Sequence, residues 1–235
     1  MVTPRAVLFD VFGTLVDWRG SVIAGLSAFG AARGITADWA EIADGWRRAY
    51  RPSMDRVRRG MVPWTILDDL HRDALMEIAR RHDIGPLDDD DCEQLVSLWH
   101  RLAPWPDVVA GLGRLKRVAI IGPLSNGHLA LQVSLAKRNG FPWDVTFGAD
   151  IFRHYKPDAE VYLGACDFLG LAPDEVMLAA AHNDDLAAAA SFGLTTAFIC
   201  RPAEHGPATG DRAKPSGPWD IVADSVGNLA DRLGG

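Results

Sequence analysis

Cysteine is scarce in this chain, and each occurrence stands alone. Cys92, Cys166 and Cys200 are far apart and odd in number among 235 residues, so neither a disulfide framework nor a paired-thiol metal or redox motif is available. Long apolar runs are missing too. Nowhere do the roughly 18 to 20 successive apolar residues of a membrane span occur, and the opening MVTPRAVLFD has no extended apolar segment before a small-residue cleavage site. Positive charge is in deficit: 24 Lys and Arg face 31 Asp and Glu, for a net charge of −7, with no basic block. That argues against nucleic acid or an anionic membrane surface as the main partner. The absences leave a cytoplasmic protein acting on a small molecule as the expectation.

What is present is an ordinary globular composition, 48% apolar and 23% charged, long enough for one large domain or a core with an insertion. Short apolar runs bounded by turns occur at Ala6–Phe9, Val118–Ile121, Val176–Ala181 and Thr195–Cys200, with a weaker one at Asp144–Phe147. Runs of this kind suit strands covered on both faces. Between them, HLALQVSLAKRNG and DAEVYLGACDFLG have helical spacing, the second ending in Gly170. Strand, helix, strand predicts an α/β fold with a doubly wound parallel sheet. Residues 18–104 differ, being helical in period and free of convincing strands, and read as an inserted helical lid between the two parts of the core, 1–17 and 105–235. Within it Trp39, Ile42, Ala43, Trp46 and Ala49 or Tyr50 form an inward stripe, with Thr36 or Asp38 as N-cap. The acidic run Asp88–Asp91 reads as a helix start or solvated loop, since consecutive carboxylates cannot all converge on one ion. RPAEHGPATGDRAKPSGPWD reads as a surface loop leading to a last short strand or turn near Ile221.

In an open parallel sheet, ligands bind beyond the carboxyl ends of the strands, so the residues after each run are the ones to inspect. Asp10 follows the first run directly, and the VFGT after it makes a loop whose amides could cradle an anion. Ser125 and Asn126 follow the second run after a link Gly122-Pro123-Leu124. Lys156 lies in YKPD, where Pro157 disfavours a helical conformation at the lysine. The third strand leads into AHNDDL with Asp185. Each alone is weak, because such residues serve equally as caps, turns or solvated charges. All four at one sheet edge are not.

The order FDVFGT, LSN, YKPD and HNDD resembles the haloacid dehalogenase superfamily over nearly the whole chain. The resemblance implies a Rossmann-like core, a helical cap and a nucleophile at Asp10. Most members are magnesium-dependent phosphatases with a second Asp two positions after the nucleophile, an acid/base for the ester oxygen. This sequence has Phe12 there. An alkoxide leaving group needs a proton and a halide does not, so the chain looks like the L-2-haloacid dehalogenase branch, which attacks carbon without a metal or other cofactor. In that branch Arg47, with Arg48 as competitor, matches the lid arginine that draws on the departing halide ion. Tyr162 matches a position near the active site, although alone it reads as a half-buried helix residue.

By this resemblance the substrate carboxylate sits against Ser125, Asn126 and the amides around Val11 and Phe12. Asp10 displaces halide from a small haloacid to form an ester, which water then opens to a 2-hydroxy acid. Lys156 keeps Asp10 ionised, Asp185 orients or deprotonates the water, and Thr14 steadies the nucleophile. The sequence departs from the branch at Ala180, Ala181 and His182, ahead of Asn183, where Ser and Asn side chains are usual. His182 either donates to halide or water or only supports its loop. In the first case the site is smaller and favours haloacetates, fluoroacetate included. Relatives form dimers, so a homodimer is an expectation, though no segment announces the interface. Two other readings stay open: a phosphatase gathering magnesium with Asp10, Asp184 and Asp185, and a binding protein that has kept the fold without turnover.

Overall fold

The computed structural model describes residues 4–206 and 214–235. Of the loop expected between Arg201 and Asp220, 207–213 lie outside the described residues. The chain divides into two compact units: one comprises the chain up to Asp17 and from Ala103 onward, the other is Trp18–Leu102. Ala103 and Pro104, assigned from sequence to the inserted segment, pair instead with the first unit. They form β3 (Ala103–Pro104), antiparallel to β2 (Val16–Asp17).

The first unit is built on six strands: β1 (Ala6–Phe9), β4 (Ile120–Ser125), β5 (Phe147–Gly148), β6 (Val176–Ala180), β7 (Thr195–Ile199) and β8 (Ile221–Ala223). Their order across the sheet is β5-β4-β1-β6-β7-β8, and every pairing is parallel. The chain winds outward from β1 in one direction and then the other, so the sheet is doubly wound and its reversal lies beside β1. All four residues of β1 are buried, as cover on both faces requires. One face of the sheet supplies Ala6, Leu8, Leu124, Leu178 and Phe198 to a core with Val161, Tyr162 and Ala165 from a helix at Ala159–Leu169 and Leu186 and Ala189 from one at Asn183–Ser191. Each fully buried Leu in it contributes roughly 1.5–3 kcal/mol.

Two strands lie elsewhere than the apolar runs suggested. β4 begins at Ile120 and runs through Gly122 and Pro123, which the sequence reading had made a link. A Cβ at Gly122 would meet Val145 Cγ2 at 2.6 Å and its carbonyl oxygen at 2.7 Å, so glycine is needed there for a close approach. The ladder to β5 begins only at Leu124, beyond Pro123. The weak Asp144–Phe147 candidate shrinks to Phe147–Gly148, because Asp144 is engaged by the Ile121 amide at 3.0 Å through Oδ2.

The second unit is helical: α1 (Trp18–Arg33), α2 (Trp39–Arg58), α3 (Leu67–His82), α4 (Asp89–Val96) and a short turn at Ser97–His100. Asp38, not Thr36, caps α2 by accepting the Glu41 amide. The acidic run is a helix start: Asp88 and Asp91 form a reciprocal capping box on α4. Ile42, Ala43 and Trp46 of the expected stripe are buried, and Met54 joins them, whereas Trp39 and Tyr50 are half-buried. Trp46 meets Trp99 edge-on at 5.5 Å and donates to the His71 carbonyl at 2.9 Å, so its indole N–H is satisfied. No helix among the described residues is long and apolar enough to cross a membrane.

Candidate active site

Beyond β1 the chain turns sharply. The amides of Leu15 and Val16 both donate to the Val11 carbonyl, at 2.9 and 3.3 Å, and Gly13 donates to Val16. Gly13 has φ +89°, a conformation open to glycine at little cost. From outside the turn, Trp105 Nε1 donates to the Gly13 carbonyl at 2.8 Å and Arg201 Nε to the Thr14 carbonyl at 2.7 Å. Arg201 is itself fixed by a two-point ion pair with Asp107, at 2.8 and 3.0 Å.

This turn aims Asp10 into a buried polar cluster. Its Oδ1 accepts from Lys156 Nζ at 3.0 Å, and its Oδ2 lies 2.8 Å from the Thr14 hydroxyl and 3.1 Å from His182 Nδ1. Thr14 is oriented by the Ala181 amide, which donates to its Oγ1 at 2.9 Å. Lys156 also donates to Asp185 Oδ2, and the other oxygen of Asp185 accepts from the Tyr162 hydroxyl at 2.7 Å. Asn126 Oδ1 receives the Lys156 amide at 2.7 Å, and Ser125 Oγ receives that of Gly127 at 3.0 Å. Val11 and Phe12 are buried beside them. The structure thus brings Asp10, Thr14, Asn126, Lys156, Tyr162, His182 and Asp185 into one hydrogen-bonded network, with Ser125, Val11 and Phe12 adjoining in the chain.

Electrostatics follow from the packing. Burial alone would raise the Asp10 carboxyl, but the Lys156 charge, the His182 hydrogen bond and charge, and Thr14 overcome it and hold Asp10 well below the usual carboxylate range. Burial would lower Lys156, yet Asp10 and Asp185 push it up. Asp185 goes the other way: burial and the Asp10 charge raise it against Lys156 and Tyr162. Tyr162 is raised by burial and by Asp185, which keeps its proton available for donation.

Two expected residues make their described contacts outside this network. Asn183 faces away from the cluster: its Nδ2 donates to the Lys214 carbonyl and its Oδ1 receives the Ser216 amide and the Trp219 indole, all at 2.9 Å. These bonds make it a tie for the 214–219 segment, outside the hydrogen-bonded network around Asp10. Arg47 belongs to the helical unit, where its guanidinium lies 4.2 Å from the Tyr50 ring and 5.4 Å from the Trp18 ring. Its Nη1 is buried with no hydrogen-bond partner among the described residues. Arg48, the competitor, is exposed and paired with Glu41.

The sequence reading missed Glu204, placed in a surface loop. It is only 4% exposed, and its two carboxylate oxygens lie 3.0 and 3.1 Å from His182 Nε2. A Cβ at Gly13 would come within 2.1 Å of Glu204 Oε1, so the bare backbone there is what admits this side chain. Glu204 lies in the segment that leaves the carboxyl end of β7, which ends at Ile199, so the strand-end rule, carried several residues past β7, reaches it.

A family model for haloacid dehalogenase-like hydrolases matches residues 4–193. The (S)-2-haloacid dehalogenase 4A of Burkholderia cepacia is 29% identical over 237 residues, 96% of this chain and 98% of its own. Among solved structures, a defluorinating L-2-haloacid dehalogenase matches with TM-score 0.95 at 47% identity, over 99% of this chain and 96% of its own. A second L-2-haloacid dehalogenase matches with TM-score 0.95 at 48% identity, over 98% and 99%. With its parallel sheet and these relatives in agreement, the chain belongs to the haloacid dehalogenase-like hydrolases, on their L-2-haloacid dehalogenase branch.

Proposed function

We propose that this enzyme hydrolyses short 2-haloalkanoic acids, haloacetates and L-2-halopropionate, to 2-hydroxy acids through an ester on Asp10, without a metal. The observation that carries the reading is the Asp10 carboxylate, fixed at a strand end and kept ionised by Lys156 at 3.0 Å, with Phe12 where a phosphatase would need its acid. In the first step Asp10 attacks the carbon bearing the halogen; the C–O bond forms as the C–halogen bond breaks, and the halide leaves with the electron pair. The substrate carboxylate is received by Ser125, Asn126 and the Val11 and Phe12 amides; Asn126 uses only its Oδ1 on Lys156, which leaves its amide N–H donors for an anion. Arg47 draws on the departing halide, an assignment that rests on its sequence match. In the second step water attacks the ester at Cγ and passes a proton to Asp185, whose raised carboxyl suits it as a base.

Lys156 Nζ donates to both Asp10 Oδ1 and Asp185 Oδ2, but it lies in the YKPD motif that the resemblance shares with the superfamily's phosphatases, so it is Phe12, in place of the phosphatase acid, that argues against the phosphatase reading. His182, in place of the usual amide, narrows the site in favour of haloacetates, fluoroacetate among them; the defluorinating activity named for one similar structure supports this. A cytoplasmic location and a homodimer complete the proposal.

The test is halide release from chloroacetate, fluoroacetate and L-2-chloropropionate in excess EDTA, beside Asp10→Asn and a phosphate-ester control. The expected result is release that survives chelation and falls by at least about 10⁴-fold in the variant. Magnesium-dependent phosphate release without halide would replace this reading with the phosphatase.

A further inference from the structure

The two oxygens of Asp10 are held unequally. Oδ1 meets one donor, Lys156 Nζ; Oδ2 meets two, the Thr14 hydroxyl and His182 Nδ1. A carboxylate oxygen offers about two lone-pair sites, so Oδ1 keeps one for attack on carbon while both of Oδ2 are engaged. The Thr14 hydroxyl donates to Oδ2 at 2.8 Å, an ionised oxygen that can only accept, and itself accepts from the Ala181 amide. His182 has carboxylates on both sides, Asp10 at Nδ1 and Glu204 at Nε2, and an imidazole so placed carries a proton on each nitrogen. Burial opposes that charge, but Glu204 and Asp10 prevail and push His182 up to about 10. Glu204 is buried, packed against the bare backbone of Gly13, and its segment is moored by Arg201, whose carbonyl accepts the Glu204 amide at 3.2 Å.

We propose that His182 Nδ1–H and Thr14 Oγ1–H form the oxyanion hole for hydrolysis of the aspartyl ester, with Glu204 as the positioning residue that holds the imidazole ring. This rests on the haloacid reading and assigns its second step. Water bonds to Cγ and gives one proton to Asp185; the Cγ=Oδ2 π pair moves onto Oδ2, where the two donors already point. The pair returns as the Cγ–Oδ1 bond breaks, and Oδ1 leaves as the hydroxyl oxygen of the product, taking the proton from Asp185. The new carboxyl on residue 10 then loses its proton to solvent. Donors fixed before the charge develops need no reorganisation when it does.

Rapid-quench kinetics with chloroacetate test this, with chloride and glycolate measured separately and intact-protein mass used to detect the Asp10 ester, in wild type, Glu204→Gln and His182→Ala. In Glu204→Gln the first equivalent of chloride is released normally, kcat falls by about 10²-fold, KM falls with it, kcat/KM is nearly unchanged and the ester accumulates. The variant also loses kcat toward alkaline pH earlier than wild type. The ring is faced directly by Asp10 and Glu204, with Lys156, Asp185 and His205 beyond them, so removing one anion lets the imidazolium proton go sooner. His182→Ala, which does not depend on Glu204→Gln folding, accumulates the same ester. Loss of the chloride burst and of turnover together with no ester, or unchanged ester hydrolysis in both variants, overturns the proposal. Failure of wild type to release chloride overturns instead the haloacid reading beneath it.

Discussion

Lys156 carries more of the site than one charge suggests, because it separates two carboxylates that would otherwise repel at close range. Replacing it by a methionine of similar length leaves Asp10 buried without its principal counter-charge. Lys156→Met is expected to cut kcat/KM by at least about 10³-fold. Its effect on pH is also signed: with Lys156 gone the Asp10 carboxyl rises, and activity is lost as pH falls through that higher value, which a kcat/KM profile on the acid side detects. His182 gives the opposite slope in stability. Its folded value lies above its ordinary 6.5, at about 10, so its contribution is fully present below 6.5 and disappears as pH rises through 10. Urea unfolding at pH 7 and pH 10.5 should show wild type losing more stability over that interval than His182→Ala. Asp10 and Asp185 were legible in the sequence because they come after apolar runs, and Lys156 because YKPD places it in a turn. The bonds of Asn183 to the 214–219 segment were not legible, since successive residues at a helix start point about 100° apart and a neighbour's contacts do not extend to it. Glu204 was hidden by the Pro and Gly around it, which read as loop.

Among the elements, the turn after Asp10 depends on one missing side chain. Gly13→Ala forces a residue with a Cβ to φ +89° and drives it into Glu204. The expected cost is about 1–3 kcal/mol in denaturant unfolding, with a fall in kcat as Glu204 leaves His182. Helices were readable from period and caps, down to Gly170 as the left-handed residue that ends the helix at Leu169. The strands were less so. β4 contains the Gly-Pro pair that normally punctuates a chain, and only the close passage of Val145 explains it. β2 and β3 have two residues each, too few to carry any alternation, so the ribbon they form left no trace in the pattern.

For the whole molecule, the doubly wound parallel sheet was legible from the alternation of apolar runs and helical stretches, and the helical insertion from the long interval without such runs. Net charge acts at this scale as well. At −7 the protein repels a carboxylate substrate at distances beyond the reach of Lys156, and salt screens that repulsion. Raising ionic strength from 0.01 to 0.15 M should therefore increase kcat/KM for chloroacetate, by less than about tenfold, with kcat unchanged; stopped-flow or initial-rate measurements in neutral salts check it. The start of the Asn183–Ser191 helix offers a different kind of control. His182 and Asp185 reach the network while Asn183, between them, grips the backbone near Lys214 and Ser216 and the Trp219 ring. A substitution at Trp219 would thus act as a fine adjustment screw, altering the seating of that helix end, and with it the positions of His182 and Asp185, in an enzyme redesigned for bulkier acids while every reacting atom stays native.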